Sequence, residues 1–269
     1  MPEPLPPELA AMLSETAPLR GTLGSPVVFL SEVPSTNDYA SVMADAGASE
    51  GAMVLAATQT AGRGRLGRQW HSPPGAGLYF SIVFRTARVA PYLTLAAGVA
   101  VAHGIQAATG LPVEIKWPND VVSADASRPG RRRKLAGVLA EGSSSAEGLH
   151  HVVLGIGINV SPAAYPREFA DRATSIEAEL GRRVDGWRVL GAVLTALAAE
   201  VRELERGDAS GCLRRWRTLA PSASGAVVEY DRPGGRVHGT AAGIADDGAL
   251  LVRVGAAIDR VVSGEVIWK

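Results

Sequence analysis

The chain has 269 residues, enough for one large domain or two unequal ones and for a core that needs no metal clip or disulfide. With 46% hydrophobic and 20% charged residues it is neither disordered nor fibrous, and its 27 basic and 27 acidic residues cancel, which excludes a chain built as a whole to coat nucleic acid or an anionic membrane. Its single cysteine, Cys212, cannot form an internal disulfide, and no Cys/His group has zinc-ligand spacing, so a reducing compartment is the simplest reading.

The first residues, Met1-Pro2-Glu3-Pro4-Leu5-Pro6-Pro7-Glu8, place prolines and acids where a secretory signal carries positive charge and an apolar run, and a cytoplasmic protein is expected. Residues 1–24 read as an N-terminal extension with room for one short helix, too short for an independent domain. Val27-Val28-Phe29-Leu30 has strand length, and Ser35-Thr36-Asn37-Asp38 has the form of a helix start, predicting a helix over 36–46 that ends at Gly47. A strand over Met53–Thr58, a glycine-rich loop over Gln59–Gly77 and a strand over Leu78–Phe84 follow, with Leu78, Phe80, Ile82 and Phe84 on one face. The uncharged stretch Val89–Val113 is broken by Pro91, Gly98, Gly104 and Pro112 and predicts a buried central helix rather than a membrane span. Val113–Trp117 alternates as a strand, and Pro118-Asn119-Asp120 turns into Val121-Val122. A long basic tip and return strands over Leu135–Glu141 and His151–Val160 come next. Helices are predicted over Thr174–Leu180 and Trp187–Glu205. Pro221-Ser222-Ala223-Ser224-Gly225 marks a boundary, and the short strands beyond it suggest a small β-barrel of about 45 residues.

Gly62-Arg63-Gly64-Arg65-Leu66-Gly67-Arg68 interleaves glycines with arginines directly after a predicted strand. Glycine lets backbone N–H groups approach an anion, and guanidinium forks match phosphate or carboxylate oxygens. Trp70 could stack on a planar base. The same loop could also be solvated, or touch RNA as arginine-glycine segments do. Lys116-Trp117-Pro118-Asn119-Asp120 puts a lysine on a strand and two polar side chains in a turn, which an ordinary Pro-Asn-Asp turn also explains. Ser35-Thr36-Asn37 suffices as a helix cap but also offers hydroxyls and N–H groups to a ligand carbonyl. In the basic run Arg131-Arg132-Arg133-Lys134, Lys134 opens an apolar strand, so its side chain can emerge at the sheet rather than at the tip. Gly155-Ile156-Gly157-Ile158-Asn159 lacks the third glycine of a dinucleotide fingerprint, and P-loop, nucleophile-elbow and His-Glu-x-x-His patterns are absent.

Taken in order, Ser35-Thr36-Asn37, Gln59 with Gly62 to Trp70, Lys116 to Asp120, Lys134-Leu135-Ala136-Gly137 and Gly155 to Asn159 resemble biotin protein ligase, five motifs within about 125 residues. Gly243-Ile244, Gly248 to Leu251 and Ser263-Gly264-Glu265-Val266 extend the resemblance to the end of the chain. It implies an α+β fold: a mixed, largely antiparallel sheet with helices packed on it, like class II aminoacyl-tRNA synthetases, plus a C-terminal SH3-like barrel. The expected units are 1–24, a catalytic unit over 25–220 and a barrel over 221–269. It implies activation of biotin by ATP with Mg²⁺ to biotinyl-5′-adenylate, release of pyrophosphate, and transfer of biotin to a lysine of a biotin carboxyl carrier domain of acetyl-CoA or another acyl-CoA carboxylase. By the same resemblance Ser35, Thr36, Asn37, Gln59, Gly62, Arg63, Gly64, Lys134 and Gly137 bind biotin. Arg65, Arg68, Trp70, Lys116, Asn119, Asp120 and Asn159 serve the nucleotide, Lys134 and Arg65 are catalytic, and Asp120 helps hold the metal.

Some members of the family carry a DNA-binding domain. The stretch before Val27 offers no room for one, so a ligase without operator binding is expected. The segment Val121–Arg133 looks longer than is typical, which leaves Arg133 as the neighbour competing with Lys134. A homodimer is left open by the sequence. The rival enzyme is a lipoate or octanoate ligase or transferase of related fold, and the rival outside enzymes is an arginine-glycine RNA-binding module. Net neutrality and 5% aromatic residues count against the latter. Five glycines, Gly62, Gly64, Gly67, Gly75 and Gly77, also predict a loop that closes over a bound ligand.

Overall fold

The fold is taken from a computed structural model, which describes residues 2–124, 132–146 and 148–269. The predicted basic tip therefore lies partly outside the described residues, Arg131 included. Strand β1 (Val27–Val33) runs into helix α2 (Thr36–Asp45), after α1 (Pro7–Arg20), and then into β2 (Met53–Gln59). Ser35 has extended backbone and accepts the Asp38 N–H at 3.4 Å, so a cap residue starts α2. Strand β3 (Gly77–Phe84) precedes α3 (Leu93–Thr109), the hairpin of β4 (Val113–Lys116) with β5 (Asp120–Ser123), and the long pair β6 (Lys134–Ser145) and β7 (Gly148–Asn159). These seven strands form one sheet in the order β1-β2-β3-β7-β6-β5-β4, antiparallel except for β1 beside β2.

One face of this sheet, with Leu55, Phe80, Ile82, Leu154, Ile156 and Val138, packs on α3, and α5 (Gly186–Glu205) lies behind α3. The other face carries Val54, Ala56, Val83 and Val153 under Ala40 and Ala44 of α2, and that smaller cluster leaves the remaining half of the face uncovered for polar side chains. α3 is buried almost all round, as its largely apolar, uncharged sequence requires. Among the described residues no helix is long and apolar enough to cross a membrane.

Two predicted features need correction. The segment 1–24 is not a mere extension: α1 packs on α5, burying Leu9, Met12 and Leu13, and the buried Arg20 guanidinium donates to Leu13 O at 2.8 Å. Its proline-rich start concealed this, because Pro7 stands at the first helical position, where a missing N–H costs nothing. The sequence reading also missed a helix, α6 (Ala209–Leu219), capped by Asp208 and buried through Cys212, Leu213 and Trp216; a short α4 (Ile176–Leu180) precedes α5.

After a helical turn over Pro221–Ala223 come β8 (Ser224–Arg232), β9 (Gly235–Ile244), β10 (Leu250–Val254), β11 (Ala257–Val261) and β12 (Val266–Trp268), paired as an antiparallel sheet in the order β11-β10-β9-β8-β12. It is fastened to the larger sheet. Trp117 Nε1 donates to Gly248 O at 2.9 Å, Arg217 donates to Ile244 O at 3.1 Å, and Val228, Ile244, Leu250 and Val252 belong to the same continuous core as the strands of the large sheet.

Candidate active site

Strand register explains the site. Residues paired across neighbouring strands share a face, and one row on the open face runs Lys116, Asp120, Gly137, Gly157, Tyr79 and Ala56 from β4 to β2. The next row holds Leu139, Gly155, Ser81 and Val54. Glycine at 137, 155 and 157 makes a trough in an otherwise filled surface. A Cβ at Gly157 would lie 2.5 Å from the Trp70 ring, and one at Gly155 would lie 2.1 Å from Asn37 Oδ1, separations no packed carbon tolerates. The Gly-x-Gly run on β7 is thus spaced for side chains lying across the sheet, not for a phosphate-binding turn.

Lys134 reaches this trough through a bulge. Regular alternation from Gly137 would aim residue 134 at the core, but the β5–β6 register slips between Val121 and Val122, pairing Val122 with Lys134. Leu135 and Ala136 then both face the core, and Lys134 Nζ meets Asp120 Oδ1 at 2.6 Å and lies 5.1 Å from the centre of the Trp70 ring. Arg133 goes elsewhere, to Glu179 at 2.6 Å, so the two adjacent cations are separated and Lys134 is the one at the trough. Asn159, 4% exposed, donates to Thr174 O at 2.9 Å and to Lys134 O at 3.5 Å, holding the backbone that carries the lysine.

The glycine-arginine segment is a small hairpin. Trp70 N donates to Gly62 O at 2.8 Å and Gly64 N to Arg68 O at 2.7 Å, with a 3-10 turn over Arg65–Gly67 at the tip, where Leu66 is left-handed at φ 57° and exposed. Backbone hydrogen bonds thus close the segment on itself. Beneath it lies a cleft of about 390 Å³ bounded by Arg63, Arg65, Arg68, Leu139 and Glu141. The three guanidiniums diverge. Arg63 pairs with Asp38 at 3.2 Å and with Glu141; Arg65 donates to Asn119 Oδ1 at 3.3 Å; Arg68 pairs with Glu265 of the second sheet. Arg65 and Lys116 are brought together around Asp120, and burial lowers both their pKa values while the Asp120 charge opposes the shift. Asn119, 8% exposed, donates to Val138 O at 2.7 Å and so locks the turn that presents Asp120.

Thr36, Asn37 and Gln59 form a separate polar cluster at the start of α2. Gln59 Oε1 accepts from Thr36 N at 2.8 Å, and Gln59 Nε2 donates to Ser72 Oγ at 2.9 Å. Asn37 Nδ2 donates to Glu141 at 2.7 Å. Sequence reasoning missed Ser72, Ser81, Glu141 and Asp38. Ser81 had a signal, as a small polar side chain inside an otherwise apolar and aromatic strand, and Glu141 had another, as a carboxylate ending an apolar run. Among the described residues no group of three His, Cys, Asp or Glu side chains could hold a metal ion.

The trough and loop can place fixed cations beside a polar pocket, which suits the joining of two anionic reactants. Comparison with known proteins agrees. Residues 30–159 match the model of the biotin/lipoate A/B protein ligase family, and residues 227–268 match the biotin protein ligase C terminal domain. The bifunctional ligase/repressor BirA of Bacillus subtilis is 32% identical over 249 residues, 91% of this chain and 74% of that protein. The biotin--[acetyl-CoA-carboxylase] ligase of Paracoccus denitrificans is 33% identical over 250 residues, 89% of this chain and 99% of that one. A solved biotin protein ligase from Aquifex aeolicus, in complex with biotin and ATP, superimposes with a TM-score of 0.76 at 29% identity, covering 91% of this chain and 99% of that chain. With two family models matched in order and a third of the aligned residues shared with a ligase of which it covers 99%, this chain belongs to the biotin protein ligase family.

Proposed function

We propose that this protein is an ATP-dependent biotin protein ligase that forms biotinyl-5′-adenylate and transfers biotin to a lysine of a carboxylase's biotin carboxyl carrier domain. The observation that carries the reading is the placement of Lys134 beside Asp120, Arg65 and Lys116 on one side of the glycine trough, with Arg63 and the Thr36–Gln59 cluster on the other. A carboxylate oxygen of biotin attacks the α-phosphorus of ATP, the bond to the β-phosphate oxygen breaks, and pyrophosphate leaves with both electrons. Two anions meet only where fixed charge offsets their repulsion, and Lys134 would touch both the attacking oxygen and the phosphoryl oxygens.

Ser35, Thr36 and Gln59 would take the ureido end of biotin, Arg63 and the backbone of its loop the carboxylate, and Gly137 the close approach of β6. Trp70 would cover the adenine, and Arg65, Arg68, Lys116 and Asn119 would serve the phosphates, with Asn159 steadying Lys134 beside them. Asp120 would be the protein group available to a Mg²⁺ ion brought by the nucleotide, which would supply positive charge to the phosphates. The acceptor amine then attacks the acyl carbon of the mixed anhydride and AMP departs, a step that needs docking and exclusion of water more than further catalysis. We further propose that residues 25–220 form the catalytic unit and residues 221–269 an SH3-like barrel, and that the enzyme works in the cytoplasm.

Isotope exchange tests the first half of the reaction. Protein, ATP and labelled pyrophosphate should give label in ATP only when biotin is present; equal exchange with lipoate would favour the rival ligase, and none with either would end the adenylation reading.

A further inference from the structure

Lys134 stands where the large sheet runs out. Val122 of β5 pairs with it on one side, but on the other the pairing of β6 with β7 ends at Ala136 and Ile158, so β7 offers the lysine no partner. Residues 172–174 fill that place as a parallel bridge. Lys134 N donates to Arg172 O at 2.8 Å, and Thr174 N donates to Lys134 O at 2.9 Å. Such bonds contribute only about 1 kcal/mol each, so by themselves they would hold the segment loosely.

Thr174 fastens it. The residue is fully buried, and each of its polar atoms ties a different element. Its N–H serves the Lys134 carbonyl, its carbonyl accepts from Asn159 Nδ2 of β7 at 2.9 Å, and its Oγ1 donates to Glu179 Oε1 of α4 at 2.5 Å. Arg133 donates to the same Glu179 oxygen at 2.6 Å. A ring is thereby closed through Lys134, Thr174, Glu179 and Arg133, and the peptide that carries the lysine is one side of it. Its base is firm, because Ile176 of α4 lies in the core and Glu177 N donates to Val160 O at 2.9 Å.

We infer that Thr174 and Glu179 are positioning residues for the reaction, fixing the backbone of Lys134 so that its ammonium meets Asp120 at the trough already aligned. With no exposed surface, Thr174 acts on the site only through what it holds. Misplacing a catalytic group by about 1 Å can cost on the order of 100-fold in rate, so the alignment is expressed in the chemical step and not in ground-state binding. Arg133 is the lesser arm of the ring, since Glu179 accepts from Thr174 without it.

This inference rests on the reading of Lys134 given above, and the experiment separates the two. Biotin-dependent pyrophosphate exchange is measured on wild type, Thr174→Val, which nearly keeps the volume and loses the donor, Thr174→Ser, which keeps the donor, and Glu179→Ala. Thr174→Val should lower kcat about 10-fold while KM for biotin and for ATP stay within about twofold, and Thr174→Ser should bring kcat back to within about threefold of wild type. Glu179→Ala should fall at least as far, and adding Thr174→Val to it should change kcat by less than about twofold, because both remove one link. In a Lys134→Ala background Thr174→Val should likewise change the residual exchange by less than about twofold. A merely structural role would lower exchange in that background as much as in wild type. That result, or a wild-type kcat in Thr174→Val, would overturn the inference and leave the reading of Lys134 standing. Wild-type protein without biotin-dependent exchange, or Lys134→Ala that exchanges as wild type does, would overturn the reading of the site and the inference with it.

Discussion

Replacing Lys134 by alanine should lower the rate of biotin-dependent pyrophosphate exchange by at least about 100 to 1,000-fold, the loss typical of one preorganised donor at a centre of developing charge. The ammonium is 2.6 Å from Asp120, and removing it would leave that carboxylate facing two incoming anions. Lys134→Arg keeps the charge, but a planar fork cannot take the place of a compact ammonium between two oxygens, so most of the loss should remain. The lysine is about a third exposed, and its exposed ion pair contributes less than about 1 kcal/mol, so thermal unfolding of Lys134→Ala should match wild type. Retained exchange in Lys134→Ala would shift the bridging role to Arg65 or Lys116; loss of exchange in Arg133→Ala with Lys134 intact would contradict the placement of the two cations.

Trp216→Ala should destabilise the protein by about 3–5 kcal/mol, the cost of deleting a large aromatic from a closed core. Trp216 is fully buried on α6, where α6 meets α3 and α5, and the core passes from there into the second sheet. Its indole Nε1 is buried without a hydrogen-bond partner, which offsets part of what the ring contributes. Trp216→Phe keeps most of the ring and removes the unpaired donor, so it should cost under about 2 kcal/mol. Thermal unfolding reads both variants, with a fall in Tm on the order of 10 °C expected for alanine and much less for phenylalanine. A small shift for alanine would show that α6 is not part of the folding core.

Strands β2, β3, β6 and β7 and helices α2, α3 and α5 were legible in the sequence because each carries its own period and a clear cap or break. Helix α6 was not. Its hydrophobic face is narrow and is interrupted by Ser210, Gly211, Arg214, Arg215, Arg217 and Thr218, so burial of Cys212, Leu213 and Trp216 comes from tertiary packing more than from pattern. The candidate site residues were legible as a list, since Lys116, Asp120 and Lys134 stand in unusual local settings, but their convergence depends on register. A pairing row that sets Lys116, Asp120, Gly137 and Gly157 side by side is a property of two hairpins, β4–β5 and β6–β7, meeting in one register. The bulge that turns Lys134 out of the core is equally invisible locally, because it arises from how β6 meets β5. Ser81 and Glu141 gain polar partners only when α2 lies over β3 and β7 and brings Asn37 to both.

The fastening of the second sheet follows the same logic. Arg68 reaches Glu265 across 197 positions of sequence, and Trp117 reaches Gly248 across 131, so the loop and turn that frame the trough are both tied to the C-terminal strands. The second sheet is thereby coupled to the geometry of the site.

The most direct test of the whole account is transfer to an acceptor. The protein is incubated with ATP, Mg²⁺, equal amounts of biotin and lipoate, and an isolated biotin carboxyl carrier domain, and the intact mass of that domain is followed. The account predicts ATP-dependent addition of one biotin to one lysine, with lipoate left untouched. A carrier domain that gains lipoate, or gains nothing while the protein remains folded, would contradict it.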